Sequence, residues 1–231
     1  NAEDDYYVVV RDNIVSTDVT PEYLSSETYS EYVTFENNTV YKMVDGTYVI
    51  DDDNYDLYFD ENGNLKEDTP LVQDHDVIVG NLTNKKLIID SPLHIIPLED
   101  TKLVNTTVSF VEGADYSSIV GVTFEFTGDD TTGSIGIIYL KDVNGVVVKN
   151  NVILVPEFVD KAGSKYGSSI YAIEVETGAN GCKDTEIIGN TIEINGTCRY
   201  LYGIDVFDTY GSPAKHEDIT ISGNNIALNG G

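Results

Sequence analysis

Three stretches in the second half of the chain repeat one another: VVVKNNVIL from Val146, EIIGNTIEI from Glu186 and TISGNNIAL from Thr220. Set on Asn150, Asn190 and Asn224, each carries an apolar residue three before the Asn: Val147, Ile187 and Ile221. Two and four after it stand Val152 and Leu154, Ile192 and Ile194, Ile226 and Leu228. The spacing is 190 − 150 = 40 residues and then 224 − 190 = 34. A unit this small cannot bury its own apolar face, so it must stack on its neighbours, and that requirement narrows the fold more than any other feature.

A second phase of the repeat runs through GIIYL from Gly136, AIEVE from Ala172 and GIDVF from Gly203. It aligns Ile137, Ile173 and Ile204 in one column and Tyr139, Val175 and Val206 in the next. Short alternating runs bounded by Gly, Asn and Asp signal strands, and no window sustains a helical period. KKLIIDSPLHII from Lys85, TKLVNTTVSF from Thr101 and SSIVGVTFEF from Ser117 read as weaker copies, with Val122 in the Asn column. The expected fold is all-β: a right-handed parallel β-helix, or solenoid, with an N-terminal cap containing short helical and strand elements. Its hand follows from the general rule for parallel connections. Asn150, Asn190 and Asn224 are expected to be structural, each forming a bend and together a stacked amide ladder.

The first part of the chain lacks the repeat. Residues 1–80 are assigned to the cap and 81–231 to the coils of one continuous body. Within the cap, 6–15 and 46–50 read as strands, 19–32 as a short helix, and 51–64 as a helical turn closed at Asn62-Gly63. DENGN at 60–64 resembles part of a calcium loop, but its glycine falls at the fourth position rather than the sixth, so it reads as a turn.

Lys and Arg number 13 against 40 Asp and Glu, a formal net charge of −27, which argues against nucleic acid and anionic membranes as partners. No run approaches the ~20 apolar residues of a membrane span. The chain starts at Asn1 without Met and ends inside a repeat, so it is expected to be a piece of a longer protein carrying signal and anchor elsewhere. Cys182 and Cys198, 16 residues apart, leave a disulfide and two thiols equally open. Sequons at Asn37, Asn81, Asn105 and Asn195 suit a secreted chain but arise easily in Asn/Thr-rich sequence.

YDLYFDENGNLKEDTPLVQDHDVIVGNLTNKKLIIDSPLHII, followed by IVGVTFEF, GIIYLKDVNGVVVKNNVI and ITISGNNI, resembles the large adhesin-like surface proteins of methanogenic archaea. The resemblance covers about residues 45–231. It implies right-handed parallel β-helix repeats of the pectate-lyase-like type in an extracellular, surface-anchored protein. The implied function is non-catalytic attachment to another cell, a host surface or a glycan. The implied partner is a surface glycan or protein of another cell, with no membrane insertion by this stretch.

Two alternatives stand beside adhesion. One is a structural stalk; the other is a polysaccharide lyase or glycosidase, since fold alone does not decide function. Catalysis needs positioned carboxylates with split pKa values or a cationic base beside bound calcium, whereas His75, His94 and His216 are scattered and Arg199 is the single Arg of the repeats. Asp129-Asp130 reads as a turn. If Ile137, Ile173 and Ile204 point inward, the outward columns are Ile138, Glu174, Asp205 and then Leu140, Glu176, Phe207. Glu174 and Asp205 would then lie side by side, either splaying into water or sharing a calcium ion; no metal or other cofactor is otherwise expected. Glu174, Glu176, Asp205 and Phe207, with Tyr166 and Tyr210 on the longest loops, form the candidate ligand-binding set.

Overall fold

Apolar runs this short, each ended by a residue that tolerates a sharp bend, turn the chain before neighbouring runs can pair. Each run therefore pairs with its counterpart one repeat away. The computed structural model describes residues 8–18, 33–71, 75–127, 134–159 and 168–230. It is nearly all β, and parallel pairing prevails; the antiparallel pairings among the described residues are the hairpin over residues 43–48 and the isolated Phe59–Leu65 bridge. The expected helix at 19–32, Asp129-Asp130 and Tyr166 lie outside the described residues.

The first strands are β1 (Val8–Arg11), β2 (Ile14–Thr17), β3 (Val33–Glu36), β4 (Thr39–Val44) and β5 (Thr47–Ile50). The single strand expected over 6–15 is thus two, divided at Asp12, whose φ is +57°. Strands then recur in trios: β6 (His75–Val79), β7 (Leu82–Thr83) and β8 (Lys86–Ile89); β9 (Leu93–Pro97), β10 (Leu103–Val104) and β11 (Thr107–Phe110). The next are β12 (Ser118–Val120), β13 (Thr123–Glu125) and β14 (Ile135–Lys141), then β15 (Val147–Lys149), β16 (Val152–Val159) and β17 (Ser169–Glu176). The last are β18 (Glu186–Ile188), β19 (Thr191–Thr197), β20 (Tyr200–Phe207), β21 (Thr220–Ser222) and β22 (Asn225–Gly230). Every third strand enters the same sheet. One sheet runs β7-β10-β13-β16-β19-β22, a second β8-β11-β14-β17-β20, and the third extends from β2, β4, β5 and β6 through β9, β12, β15, β18 and β21.

The core lies between the sheets, in columns one residue per strand deep. Ile95, Ile119, Val148 and Ile187 form one column; Phe110, Leu140 and Val175 another; Leu103, Phe124, Ile153 and Ile192 a third, all no more than 1% exposed. Each such side chain contributes about 1.5–3 kcal/mol by leaving water. The columns reach solvent in the final trio, at Val206, Ile221 and Ile226.

Register shifts the sequence alignment by one residue in both phases: Ile138, not Ile137, pairs with Ile173, and Leu140, not Tyr139, with Val175. Val148, not Val147, pairs with Ile187 and Ile221, and Ile153, not Val152, with Ile192 and Ile226. The ladder is accordingly Asn151, Asn190 and Asn224, and Asn150 is outside it. Asn190 Oδ1 accepts from the backbone N–H and side-chain amide of Asn151, both at 3.0 Å, and Asn224 Oδ1 accepts likewise from Asn190 at 2.8 and 2.9 Å. The amides also donate to Ile119, Val148 and Ile187 carbonyls, so the buried polar groups of Asn151 and Asn190 are satisfied inside an apolar core. Asn150 instead occupies the preceding bend, at φ +54°, where the other trios place Gly121, Gly189 and Gly223. Asn takes this left-handed conformation more easily than other side chains do. Gly189 is doubly required: its φ is +68°, and a Cβ there would stand 2.5 Å from Asn150 Oδ1.

The N-terminal segment covers the β8 edge. Asp51 starts a single helical turn, α1 (Tyr55–Tyr58), whose Tyr55 and Tyr58 are buried. The Tyr55 hydroxyl donates to the Lys86 carbonyl, and the 59–65 turn pairs onto β8 through Leu65 N–H to Ile88 O and Ile88 N–H to Gly63 O. Asp60 accepts from the Asn62 and Asn64 backbones, so DENGN is a side-chain-capped turn, as its glycine spacing indicates. Cys182, buried at the corner before β18, and Cys198, at the corner after β19, are not joined in a disulfide.

Asn190→Ala should lower unfolding free energy by about 3 kcal/mol, since it strands buried donors of Asn151, whereas Asn150→Gly should change it by less than about 0.5 kcal/mol. Urea titrations of the two variants check this; equal losses would contradict the ladder.

Candidate functional site on the five-stranded sheet

The outer face of the β8-β11-β14-β17-β20 sheet gathers most of the sequence candidates. Simple alternation fails here in a useful way. Ile137 and Ile138 are consecutive and both buried, as are Ala172 and Ile173 in the next strand, so two successive residues point inward. The residues flanking this pair therefore share the outer face. Gly136, Tyr171 and Tyr202 are in register with one another, as are Tyr139, Glu174 and Asp205, and then Lys141, Glu176 and Phe207. The expected outward Ile138 and Leu140 are instead core residues, replaced on the face by Tyr139 and Lys141. Tyr171 and Tyr202 stack with ring centroids 4.7 Å apart and planes 1° from parallel.

Strand spacing of about 4.8 Å sets Glu174 beside Asp205 and, along its own strand, near Glu176. The two glutamates have different surroundings. Glu176 receives the Tyr139 hydroxyl and the Thr209 hydroxyl (2.7 Å), with the Lys141 ammonium at 3.7 Å. Burial pushes its carboxyl up, but these partners outweigh it and leave the pKa below the ordinary value. Glu174 has no comparable hydrogen bond among the described residues. Burial first, then the charges of Glu176 and Asp205, push its carboxyl up to about 7, against a smaller opposing pull from Lys141. Burial also raises Asp205. The Glu174 carboxyl reaches towards the bare Gly136, where a Cβ would lie 2.6 Å from its Oε2.

The loop beyond β17 is held by Asp142, which accepts backbone N–H groups of Gly178, Ala179, Asn180 and Gly181 at 2.7–3.0 Å. Thr209 is fixed against Thr177 and Glu176, so the adjacent Tyr210 leaves the cluster's edge fully exposed. Of the candidate set, the face brings together Glu174, Glu176, Asp205 and Phe207, with Tyr210 at its rim. Tyr139, Lys141, Tyr171, Tyr202 and Thr209 were not in that set. The register of Tyr171 with Tyr202 was legible, but the paired inward residues that turn them outward were not.

Farther along the same face, a groove of about 570 Å³ crosses β8, β11 and β14, lined by Lys86, Thr107, Ser109 and Gly136 among others. The histidines serve the frame: His216 accepts from Cys182 N–H at 3.2 Å and contacts the Phe207 carbonyl at 3.1 Å, and His94 contacts the Ser118 hydroxyl at 3.0 Å. Among the described residues, no group of three or more His, Cys, Asp or Glu side chains is placed to hold a metal ion. No helix among them is long and apolar enough to cross a membrane.

No protein-family model, curated protein or solved structure matches this chain. Function must therefore be argued from the face itself. Chemically, the face offers flat aromatic surface beside carboxylates and hydroxyls that both donate and accept, one carboxyl holding its proton to near neutral pH.

Because the folded pKa of Glu174 lies above its ordinary 4.5, the folded state binds the extra proton between the two values, and stability is lost as pH rises through about 7. Glu174→Gln should remove that loss, about 1–2 kcal/mol after allowance for solvent screening of a half-buried group. Urea unfolding of both proteins at pH 5 and pH 8 reads it: the curves should differ more at pH 8, and parallel pH profiles would refute the assignment.

Proposed function

We propose that this chain is a right-handed parallel β-helix serving as an extracellular adhesion module, binding a carbohydrate chain along the outer face of its five-stranded sheet. The every-third-strand order of the parallel sheets supports the β-helix, as does the general hand of parallel connections. The acidic balance of −27 and the resemblance to archaeal adhesin-like proteins support a surface location. Asn37 and Asn81 of the sequons are exposed, which fits the same setting.

The observation that carries the binding reading is the parallel-stacked Tyr171–Tyr202 pair beside Tyr139, Glu174 and Asp205. Aromatic rings with one apolar face and one polar edge suit sugars, which present C–H surface and hydroxyls together. Carboxylates and phenols on a rigid sheet supply directional hydrogen bonds at small entropic cost.

A second reading, hydrolysis of a glycosidic bond, draws on the opposite displacements of Glu174 and Glu176. Environments that split two carboxyls in this way are what acid–base pairs require. The Tyr139 and Thr209 hydroxyls and Lys141 occupy both oxygens of Glu176, which favours a fixed binding role over a mobile catalytic one.

A glycan array probed with calcium and with chelator tests the proposal. Binding to one glycan class should weaken about tenfold in Tyr171→Ala while circular dichroism is unchanged; a silent array, or an unaffected variant, would remove this face from recognition. Release of reducing ends from the bound glycan, abolished in Glu174→Gln, would decide for the hydrolytic reading.

A further inference from the structure

The groove across β8, β11 and β14 differs in chemistry from the carboxylate row on the same sheet. In a chain with 40 acidic side chains, no Asp or Glu is among the described residues that line it. The polar side chains among its lining residues are those of Lys85 and Lys86, Asn84 and Asn105, and Thr107, Ser109 and Ser134. Ile88 and Ile135 add apolar surface. The groove's 570 Å³ lies within the range of small-molecule sites.

These donors stand on a fixed base. Lys86 is in register with Thr107, and Ile88 with Ser109. The Lys86 carbonyl accepts the Tyr55 hydroxyl, and Lys85 lies over the Tyr55 ring at 4.6 Å. The Lys86 ammonium itself makes no hydrogen bond or ion pair with another described residue, although carboxylates are abundant on this chain. Side-chain hydroxyls of Thr107, Ser109 and Ser134 are likewise without a partner among the described residues. An array of cations, amide and hydroxyls around a partly apolar floor is complementary to a negative group on a hydroxylated ring.

We propose that this groove is a second binding site, specific for an anionic saccharide, with Lys86 meeting the carboxylate or sulfate ester and Thr107 and Ser109 the ring hydroxyls. The groove meets the tyrosine–carboxylate face at Gly136, towards which Glu174 reaches, but Lys86, Thr107 and Ser109 lie on β8 and β11, so the site would stand if that face bound nothing. It also makes the sheet chemically polar along its stacking direction, cationic at β8 and acidic at β17 and β20.

The test is titration of the isotopically labelled chain with glucuronic acid, glucose 6-sulfate, glucose and inorganic sulfate, followed by amide chemical shifts. Glucuronic acid or glucose 6-sulfate should perturb residues of β8, β11 and the start of β14, at least about tenfold more tightly than glucose; which of the two binds better identifies the anion. Lys86→Gln, an exposed change that keeps the backbone pairing, should weaken that binding about tenfold, and raising the salt should weaken it further. Equal binding of glucose, equal binding of free sulfate, shifts confined to β17 and β20, or an unchanged affinity in Lys86→Gln would each overturn the proposal. The Tyr171→Ala protein should bind glucuronic acid normally, so failure of the other face is read separately.

Discussion

Register between strands one repeat apart is the constraint from which the rest follows. It is fixed from inside, where Asn224, Asn190 and Asn151 pass hydrogen bonds from trio to trio. A slip by one residue would move every side chain of a strand to the opposite face and leave those amides without partners. The bends before the ladder hold the same register on the other side of the backbone, through positive φ at Gly121, Asn150, Gly189 and Gly223. Interior packing alone would tolerate more, because Val, Ile and Leu in columns substitute for one another at modest cost.

The outer face inherits its electrostatics from that register. Glu174 and Asp205 lie side by side because their strands are in register at Ile173 and Ile204, not because the two carboxylates attract. The sheet resolves the resulting repulsion unevenly. Tyr139, Thr209 and Lys141 hold the Glu176 carboxyl below its ordinary pKa, and Glu174, half-buried and then pressed by two acids, is pushed up to about 7. The same outer face is basic at β8, so a single sheet carries two chemically distinct surfaces separated by the bare Gly136.

Much of this was legible in the sequence, and the misses share a cause. The two Gly-Asn bends, the Asn150-Asn151 pair and the alternating runs announced stacked parallel strands, and TYVI, YDLY and the Asn62-Gly63 turn announced the elements of the first part. The one-residue error at Asn150 arose because VVVKNNVILV is apolar on both sides of a doubled Asn, so either Asn fits the pattern equally well. Only hydrogen bonds could separate the Asn that bends from the Asn that bonds. The outward columns failed for a related reason: GIIYL offers two successive inward Ile residues, and aligning Ile137 instead of Ile138 with Ile173 put Ile138 and Leu140 on the face where Tyr139 and Lys141 stand. Glu174, Glu176 and Asp205 were found despite it because they follow the paired residues. The groove was invisible, since Lys86, Thr107 and Ser109 come from different repeats and none belongs to a motif.

Each trio of strands is hydrogen-bonded only to the trios before and after it, and this bears on how the molecule would carry load. Tension applied between its two ends would act across the strands, opening the bonds of one interface in succession, instead of shearing many bonds along a strand at once. Such an assembly would part trio by trio, since each trio is bound only through its neighbours. The buried Asn interfaces around β15 and β18 would be the stiffest points in that sequence, and the exposed final trio the first to part. Were a partner held on the outer face as proposed, gradual extension would absorb a pull that a brittle attachment would transmit to the bound ligand.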